Sequence, residues 1–363
     1  MTRQSDTVIL NERPARDLGV EIIRIIAMLL IVCQHFLNHG GFLKNAGENE
    51  FFLNLIHVLF APSVNVFVLI TGYFSANTRK LKVKKGVELW LQVLFYSLAM
   101  LPIASLLGAT VTDAYVLTRF APIIYRYYWF FSAYFVLFLL TPYLSAMLGA
   151  ITKKQHLALV LGIFLFSYLS TRFNIGKVFS LGNGYSVLWF IMLFCVGAYL
   201  RKYPIRTKRI FPLTVYALTV IVHMVFRYYL NDTTKLVNML IYSGTNYDQP
   251  MTLLAAVAIF LTFNGIKSNG SRLHRFICYI GGCTFGVYLF HEAPVFRGLI
   301  YDKIFTTSNF WGHPQAALIV IAFASLTFIA GCVMETVRKL IFGLVKQVIA
   351  KIKSEMKESG APQ

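Results

Sequence analysis

The chain has 363 residues, of which 57% are hydrophobic and only 13% are charged. Soluble proteins carry about 25% charged residues, so the composition excludes an ordinary soluble protein and predicts an all-α, polytopic integral membrane helix bundle. The formal net charge of +19 does not indicate nucleic-acid binding. The basic residues lie in short segments between apolar runs, which is the pattern of cytoplasmic loops in membrane proteins.

About ten apolar runs are long enough to span a bilayer. In chain order, the predicted spans are 19–37, 52–74, 86–109, 127–149, 155–171, 184–200, 209–230, 250–266, 276–295 and 316–338. With the N-terminus inside, most of the 34 lysines and arginines fall on the inner side. This distribution predicts that both termini are cytoplasmic.

The chain therefore divides into a cytoplasmic segment (1–18), a membrane domain (19–338) and a basic tail (339–363). Apolar residues recur in the tail at helical spacing, and lysines lie mostly off that stripe. These apolar residues are Leu340, Ile341, Leu344, Val345, Val348, Ile349 and Ile352. The pattern predicts a basic amphipathic helix lying on the inner leaflet.

The first span carries two ionisable residues, Arg24 and His35. In an α-helix they lie about 20° apart around the axis and about 16 Å apart along it, so they share one face. Intramembrane ionisable residues usually face a cavity or a pathway. In the alternative interpretation, Arg24 reaches the headgroups and pairs with Glu21, while His35 simply reaches the outer interface.

The ninth span ends in GVYLFHEAP, which places His291 and Glu292 near the outer level reached by His35. Two histidines and a carboxylate at one depth predict a proton-handling site, since histidine suits general-base work on a hydroxyl. The alternative is that His291 and Glu292 are merely solvated at the outer interface. The other histidines show no ligand spacing, so no metal site is predicted.

Two further segments are candidates for substrate contacts. The second span ends at Thr71, Gly72 and Tyr73, and a basic segment containing Arg79, Lys80 and Lys82 follows it. Such a segment either sets the topology alone or binds a cytoplasmic anion, because Arg and Lys suit phosphates. At the outer entry to the fourth span, Tyr128 and Trp129 belong either to an interfacial aromatic belt or to a surface that stacks on sugars.

Five pieces of the sequence, in order, resemble the membrane-bound acyltransferase-three family of bacterial enzymes. They are the Arg24-x10-His35 pair, FVLITGYF in the second span, WFFSAYFVLFLLTPYL in the fourth, LWFIMLFCVGAYL in the sixth and TFGVYLFHEAP in the ninth. Together they cover nearly the whole chain. The family's arginine-rich run ending in proline at the start of the third span is replaced here by KKGVELWLQVLFYS.

The resemblance implies a ten-span O-acyltransferase of the bacterial plasma membrane. Its donor would be an acyl-coenzyme A, most often acetyl, and its acceptor a hydroxyl of a cell-surface or exported glycan. No permanently bound cofactor is implied. By the same resemblance, His35 is catalytic, Arg24 is essential, and Arg79, Lys80 and Lys82 contact the donor. His35 could act either as a general base or as an acyl relay.

Two other functions fit a polytopic membrane protein. A transporter or flippase of a glycan precursor or small acid predicts internal repeats or broken helices near the middle of the membrane. The sequence offers one such break, APS at 61–63, and no matching one elsewhere. A scaffold in a glycan-assembly complex predicts that loss of His35 changes nothing.

Overall fold

The computed structural model describes residues 17–125, 127–172, 182–230, 245–266 and 270–358. Every regular element in these ranges is helical, which confirms the predicted all-α class. The α-helices are α1 (Leu18–Asn38), α2 (Glu50–Phe60), α3 (Ser63–Ser75), α4 (Val83–Leu106), α5 (Asp113–Thr118), α6 (Trp129–Ala150), α7 (Lys153–Arg172), α8 (Val187–Lys202), α9 (Ile210–Val225), α10 (Pro250–Phe263), α11 (Arg272–Gly281), α12 (Thr284–His291), α13 (Phe296–Leu299) and α14 (Ala316–Glu358).

Seven helical segments in the described ranges are long and apolar enough to cross a membrane. They are Leu18–Asn38, Gly47–Ser75, Val83–Leu106, Trp129–Ala150, Ile210–Tyr229, Arg272–His291 and Ala316–Glu355. The other three predicted spans fall on α7, α8 and the 14-residue α10. The count of ten spans and the cytoplasmic termini therefore stay predictions.

Helix α1 lies at the centre of the bundle and packs against α2, α3, α10, α11, α12 and α14. It begins where the Asp17 side chain accepts a hydrogen bond from the backbone N–H of Val20, at 3.2 Å. This cap satisfies one of the N–H groups that a helix start leaves unpaired. The central position explains how two ionisable residues on α1 can face the interior rather than lipid.

Two of the membrane-crossing segments are broken into half-helices. The second span divides at Ala61 and Pro62 into α2 and α3, because proline lacks the N–H that would continue the ladder. The ninth span divides at Gly282 and Cys283 into α11 and α12. The expectation of no second break was therefore wrong.

Helix α14 has 43 residues and is about 65 Å long at the usual rise. The stretch 339–358 continues the tenth span without a break, rather than forming a separate helix. Its placement on the inner leaflet stays a prediction. Residues 1–16 of the predicted cytoplasmic segment and 359–363 of the tail lie outside the described ranges.

Candidate functional site

The ends of α1 and α12 meet and bring together three of the predicted residues. His35 lies in the last turn of α1, His291 ends α12, and Glu292 follows it directly. The His35 Nδ1 atom lies 2.9 Å from His291 Nε2 and 3.2 Å from Glu292 Oε1. The two histidines and the carboxylate predicted at one depth thus form one cluster.

Hydrogen bonding fixes the proton positions when both imidazoles are neutral. His291 Nδ1 lies 2.6 Å from the carbonyl oxygen of Val287, which can only accept, so Nδ1 carries the proton. Nε2 of His291 is then an acceptor, and Nδ1 of His35 must donate to it. The proton of His35 is therefore on Nδ1, which leaves its Nε2 lone pair free to act as a base.

Glu292 is held between the imidazole of His35 and the guanidinium of Arg297. Its Oε2 atom lies 3.3 Å from Nη1 of Arg297, and its own side chain is 5% exposed, against 43% for Arg297. A buried carboxylate beside Nδ1 of His35 stabilises the imidazolium that forms when Nε2 takes up a proton. Arg297 in turn offsets part of the cost of burying that negative charge.

His35, His291 and Glu292 also have the ligand types of a metal site, with the ligand atoms within 4.8 Å of one another. Two nitrogen ligands on a tetrahedral zinc ion would lie about 3.3 Å apart, given Zn–N bonds near 2.05 Å. The observed 2.9 Å between the two histidine nitrogens fits a shared proton better. Proton handling by this cluster stays a prediction.

A cavity of about 270 Å³ runs along the face of α1 from Arg24 to His35. Its wall is largely apolar and includes Met28, Ile31 and Phe67. Arg24, at the end away from His35, is 32% exposed and pairs with Glu21 at 2.9 Å, as the alternative interpretation of this residue predicts. We refer to this space as the inner cavity. It shows that the shared face of Arg24 and His35 borders one continuous space.

The inner cavity adjoins a smaller basic pocket of about 60 Å³, lined by Lys80, Lys82 and Lys85. Lys85, Thr71 and Tyr134 line both spaces. Lysine ammonium groups at the mouth of an apolar cavity favour a ligand with anionic groups at one end and a neutral chain at the other. Lys85 is the residue that links the two parts.

A second space of about 380 Å³, the outer cavity, lies on the other side of His35. Its lining is richer in hydrogen-bonding side chains, including Gln34, Asn38, His39 and His57. Three residues, His35, Trp129 and Tyr247, line both the inner and the outer cavity. The histidine therefore lies at the junction of an apolar and a polar compartment.

Four predicted contact residues have other roles. Gly72 packs against α8, where a Cβ would collide with the backbone of Phe194. Tyr73 packs on Phe260 beside that contact and lines none of the three spaces described. Neither residue borders the space proposed for a ligand, and their role as donor contacts stays a prediction.

Arg79 and Tyr128 also make hydrogen bonds within the protein. Arg79 donates a hydrogen bond to the Ser145 carbonyl at 3.1 Å and so holds the end of α6. Tyr128 is buried in the core and donates to the Leu289 carbonyl at 3.1 Å. Neither lines the space it was expected to line. Thr71, Lys80, Lys82 and Trp129, in contrast, do border the expected cavities.

Sequence reasoning missed Lys85, Arg297 and Tyr247. Lys85 ends the basic run TRKLKVKK, and helical spacing along α4 could have placed it beside the second span's end. Arg297 follows Glu292 by five residues, which is a weak indication of a pair. Tyr247 belongs to no apolar run, and nothing in its sequence neighbourhood indicates a role.

The profile of the acyltransferase domain family matches residues 17–335. This chain belongs to the acyltransferase-three family. The match includes α1, both broken spans and every member of the His35 cluster. The protein is therefore a membrane acyltransferase. No curated protein and no solved structure is significantly similar to the chain.

Proposed function

We propose that this acyltransferase moves an acyl group from acyl-coenzyme A to a hydroxyl of a cell-surface or exported glycan, with His35 as the general base. The single observation that carries the proposal is the position of His35 between the inner and the outer cavity. A donor and an acceptor approaching from opposite sides would meet at its imidazole. Membership of the acyltransferase family supplies the reaction class.

The inner cavity suits the donor. Coenzyme A carries phosphates at one end of a long, thin pantetheine arm, and the thioester lies at the other end. The phosphates would lie against Lys80, Lys82 and Lys85, and the arm would extend along the apolar wall towards His35. Arg24 lines the same route. An extended arm accounts for the separation of about 16 Å between Arg24 and His35 along α1.

The outer cavity suits a sugar. Amide and imidazole groups there match hydroxyls, and the aromatic faces of Trp129 and Tyr185 suit stacking on a pyranose ring. We place the protein in the bacterial plasma membrane. In the predicted orientation, the acceptor would reach this cavity from the outer side of that membrane.

The proposed reaction has two proton transfers. Nε2 of His35 takes the proton of the acceptor hydroxyl while the hydroxyl oxygen attacks the thioester carbon. The tetrahedral intermediate then expels the coenzyme A thiolate, which takes the same proton back from His35. An ester forms, a thioester breaks, and His35 returns to its neutral state. Glu292 stabilises the imidazolium between the two steps.

Transport is the second candidate, because the breaks at Pro62 and at Gly282–Cys283 are features that this hypothesis predicts. A protein that only moved a glycan precursor would not transfer label from acetyl-coenzyme A. In the third alternative, a scaffold, His35 would have no chemical role.

The test uses membrane vesicles with expression-matched wild type, His35→Ala and His313→Ala, supplied with labelled acetyl-coenzyme A. His313 is exposed in an outer segment, so it controls for loss of a histidine. We expect label in the glycan fraction with wild type and His313→Ala, and a loss of about 10³-fold with His35→Ala. Equal transfer by all three would remove His35 from the mechanism. No transfer by wild type to any glycan would favour transport.

A further inference from the structure

The junction between the two cavities is formed by two aromatic residues in addition to His35. Trp129 begins α6, and Tyr247 lies just before α10. Their rings are nearly parallel, with an interplanar angle of 16° and centroids 6.0 Å apart. Because both residues line both cavities, anything that passes from one cavity to the other must pass this pair.

A buried network holds the pair in place. The Tyr247 carbonyl accepts a 2.8 Å hydrogen bond from Nδ2 of Asn65, whose Oδ1 accepts a 3.0 Å bond from the Trp189 indole. Asn65 and Trp189 are both fully buried. On the other side, the Trp129 ring lies 4.5 Å from the Tyr185 ring. The backbone of Tyr247 is therefore anchored to a buried hydrogen-bonded pair, and the Trp129 ring packs against Tyr185.

The position of this pair has a consequence for the donor, if the proposed function holds. The thioester carbon must lie beside His35, so the acyl chain beyond it projects at the junction. A long chain would either collide with Trp129 and Tyr247 or enter the outer cavity, where the acceptor hydroxyl must lie. Only a short chain leaves that space to the acceptor.

We propose that Trp129 and Tyr247 determine the length of the acyl group and restrict it to a few carbons. Trp129 then acts on the donor as well as on the acceptor side expected from the sequence. Tyr247 acquires a role that its sequence neighbourhood does not indicate. Both are specificity-determining residues, and neither takes part in the proton transfers.

The experiment compares acetyl-, butyryl- and hexanoyl-coenzyme A as donors for wild type, Trp129→Leu and Tyr247→Leu in membrane vesicles. The readout is the ratio of butyryl to acetyl transfer, which does not depend on the amount of active protein. We expect wild type to favour acetyl by about tenfold or more, which is the scale of discrimination a few methylenes allow. Either substitution should raise the butyryl-to-acetyl ratio about tenfold.

Tyr134→Leu is the matched control, because Tyr134 lines the inner cavity and the basic pocket but not the junction. It should change the rates with all donors alike and leave the ratio unchanged. If wild type transfers no acyl group, the proposed function fails. If wild type transfers acetyl but the ratio is the same in both junction variants, this inference fails and the function stands.

Two further outcomes would contradict the proposed selection of acyl length. A folded Tyr247→Leu protein that transfers nothing would show that Tyr247 is required for transfer itself, which contradicts a role in selection. Wild type that uses butyryl as well as acetyl would contradict it too. Retention of the wild-type elution volume in detergent is the check on folding.

Discussion

Two buried carboxylates lie near opposite ends of α12, and their surroundings differ. Glu292 follows the last residue of α12, and Glu335 of α14 packs against Gly286 near its start. Both are at least 95% buried and both have an arginine partner. The comparison shows which features separate a reactive carboxylate from a structural one within a single bundle.

Glu335 is saturated with donors. It accepts two bonds from Arg338 at 2.7 and 2.9 Å, one from Tyr96 at 3.0 Å and one from Gln92 at 3.2 Å. It lines neither the inner nor the outer cavity. A carboxylate with these partners and no access to a substrate holds α4 and α14 together.

Glu292 has fewer donors and borders a substrate-sized space. Its partners are His35 at 3.2 Å and Arg297 at 3.3 Å, and it lines the outer cavity. A weakly held carboxylate beside an imidazole can respond when that imidazole becomes charged. Burial and an arginine partner therefore do not distinguish the Glu292 carboxylate from the Glu335 carboxylate. The two differ in the number of hydrogen-bond donors and in access to a cavity.

Of the substitutions at the two carboxylates and their arginine partners, Glu292→Gln should have the largest effect on activity. Glutamine has nearly the same shape as glutamate, but it has no negative charge to stabilise the imidazolium. We expect kcat to fall about 10²-fold or more, with the KM for the donor nearly unchanged. Thermal unfolding in detergent should shift little, because Arg297 is 43% exposed and can be solvated.

Glu48→Gln is the control for Glu292→Gln, since Glu48 is exposed outside the cavities. Its kcat should equal that of wild type. A Glu292→Gln variant with full activity would show that the carboxylate has no part in the transfer, and the contrast with Glu335 would then disappear.

Glu335→Gln should lower the stability of the protein and leave its activity nearly unchanged. It leaves Arg338, which is 12% exposed, as a buried and poorly paired cation, and breaking such a pair costs about 3–5 kcal/mol. We expect a marked drop in the unfolding temperature, with kcat per folded molecule within a few-fold of wild type. The double variant Glu335→Gln/Arg338→Gln should regain part of the loss. Inactive protein of wild-type stability would instead place Glu335 in the reaction.

The sequence predicted the Glu292 site better than the Glu335 site, for a physical reason. Spans one and nine both run outward in the predicted topology, so His35, His291 and Glu292 could be placed at one depth from span direction alone. Glu335 lies near the inner end of its span, and its partners come from α4. Nothing in an apolar run indicates which face of α14 meets which face of α4.

The helix break at Gly282 and Cys283 was missed for a related reason. Proline marks the first break, because it removes a backbone donor. The second break has no proline, and it follows a close contact of Gly281 with Glu21 of α1. The close contact of α3 with α8 at Gly72 was missed for the same reason. Apolar runs predict helices, but they do not predict such close approaches.

The smallest effects should come from replacing the arginine partner of each carboxylate by lysine, as Arg297→Lys and Arg338→Lys. Lysine keeps the charge but loses the planar fork that binds a carboxylate through two nitrogens. Arg338 uses two nitrogens on Glu335, so Arg338→Lys should lower stability by about 1–3 kcal/mol, the worth of a lost charge-assisted bond. Arg297 makes one contact at 3.3 Å, so Arg297→Lys should leave stability unchanged and lower kcat less than about tenfold. If Arg297→Lys lowered stability more than Arg338→Lys, Glu292 rather than Glu335 would be the structural carboxylate.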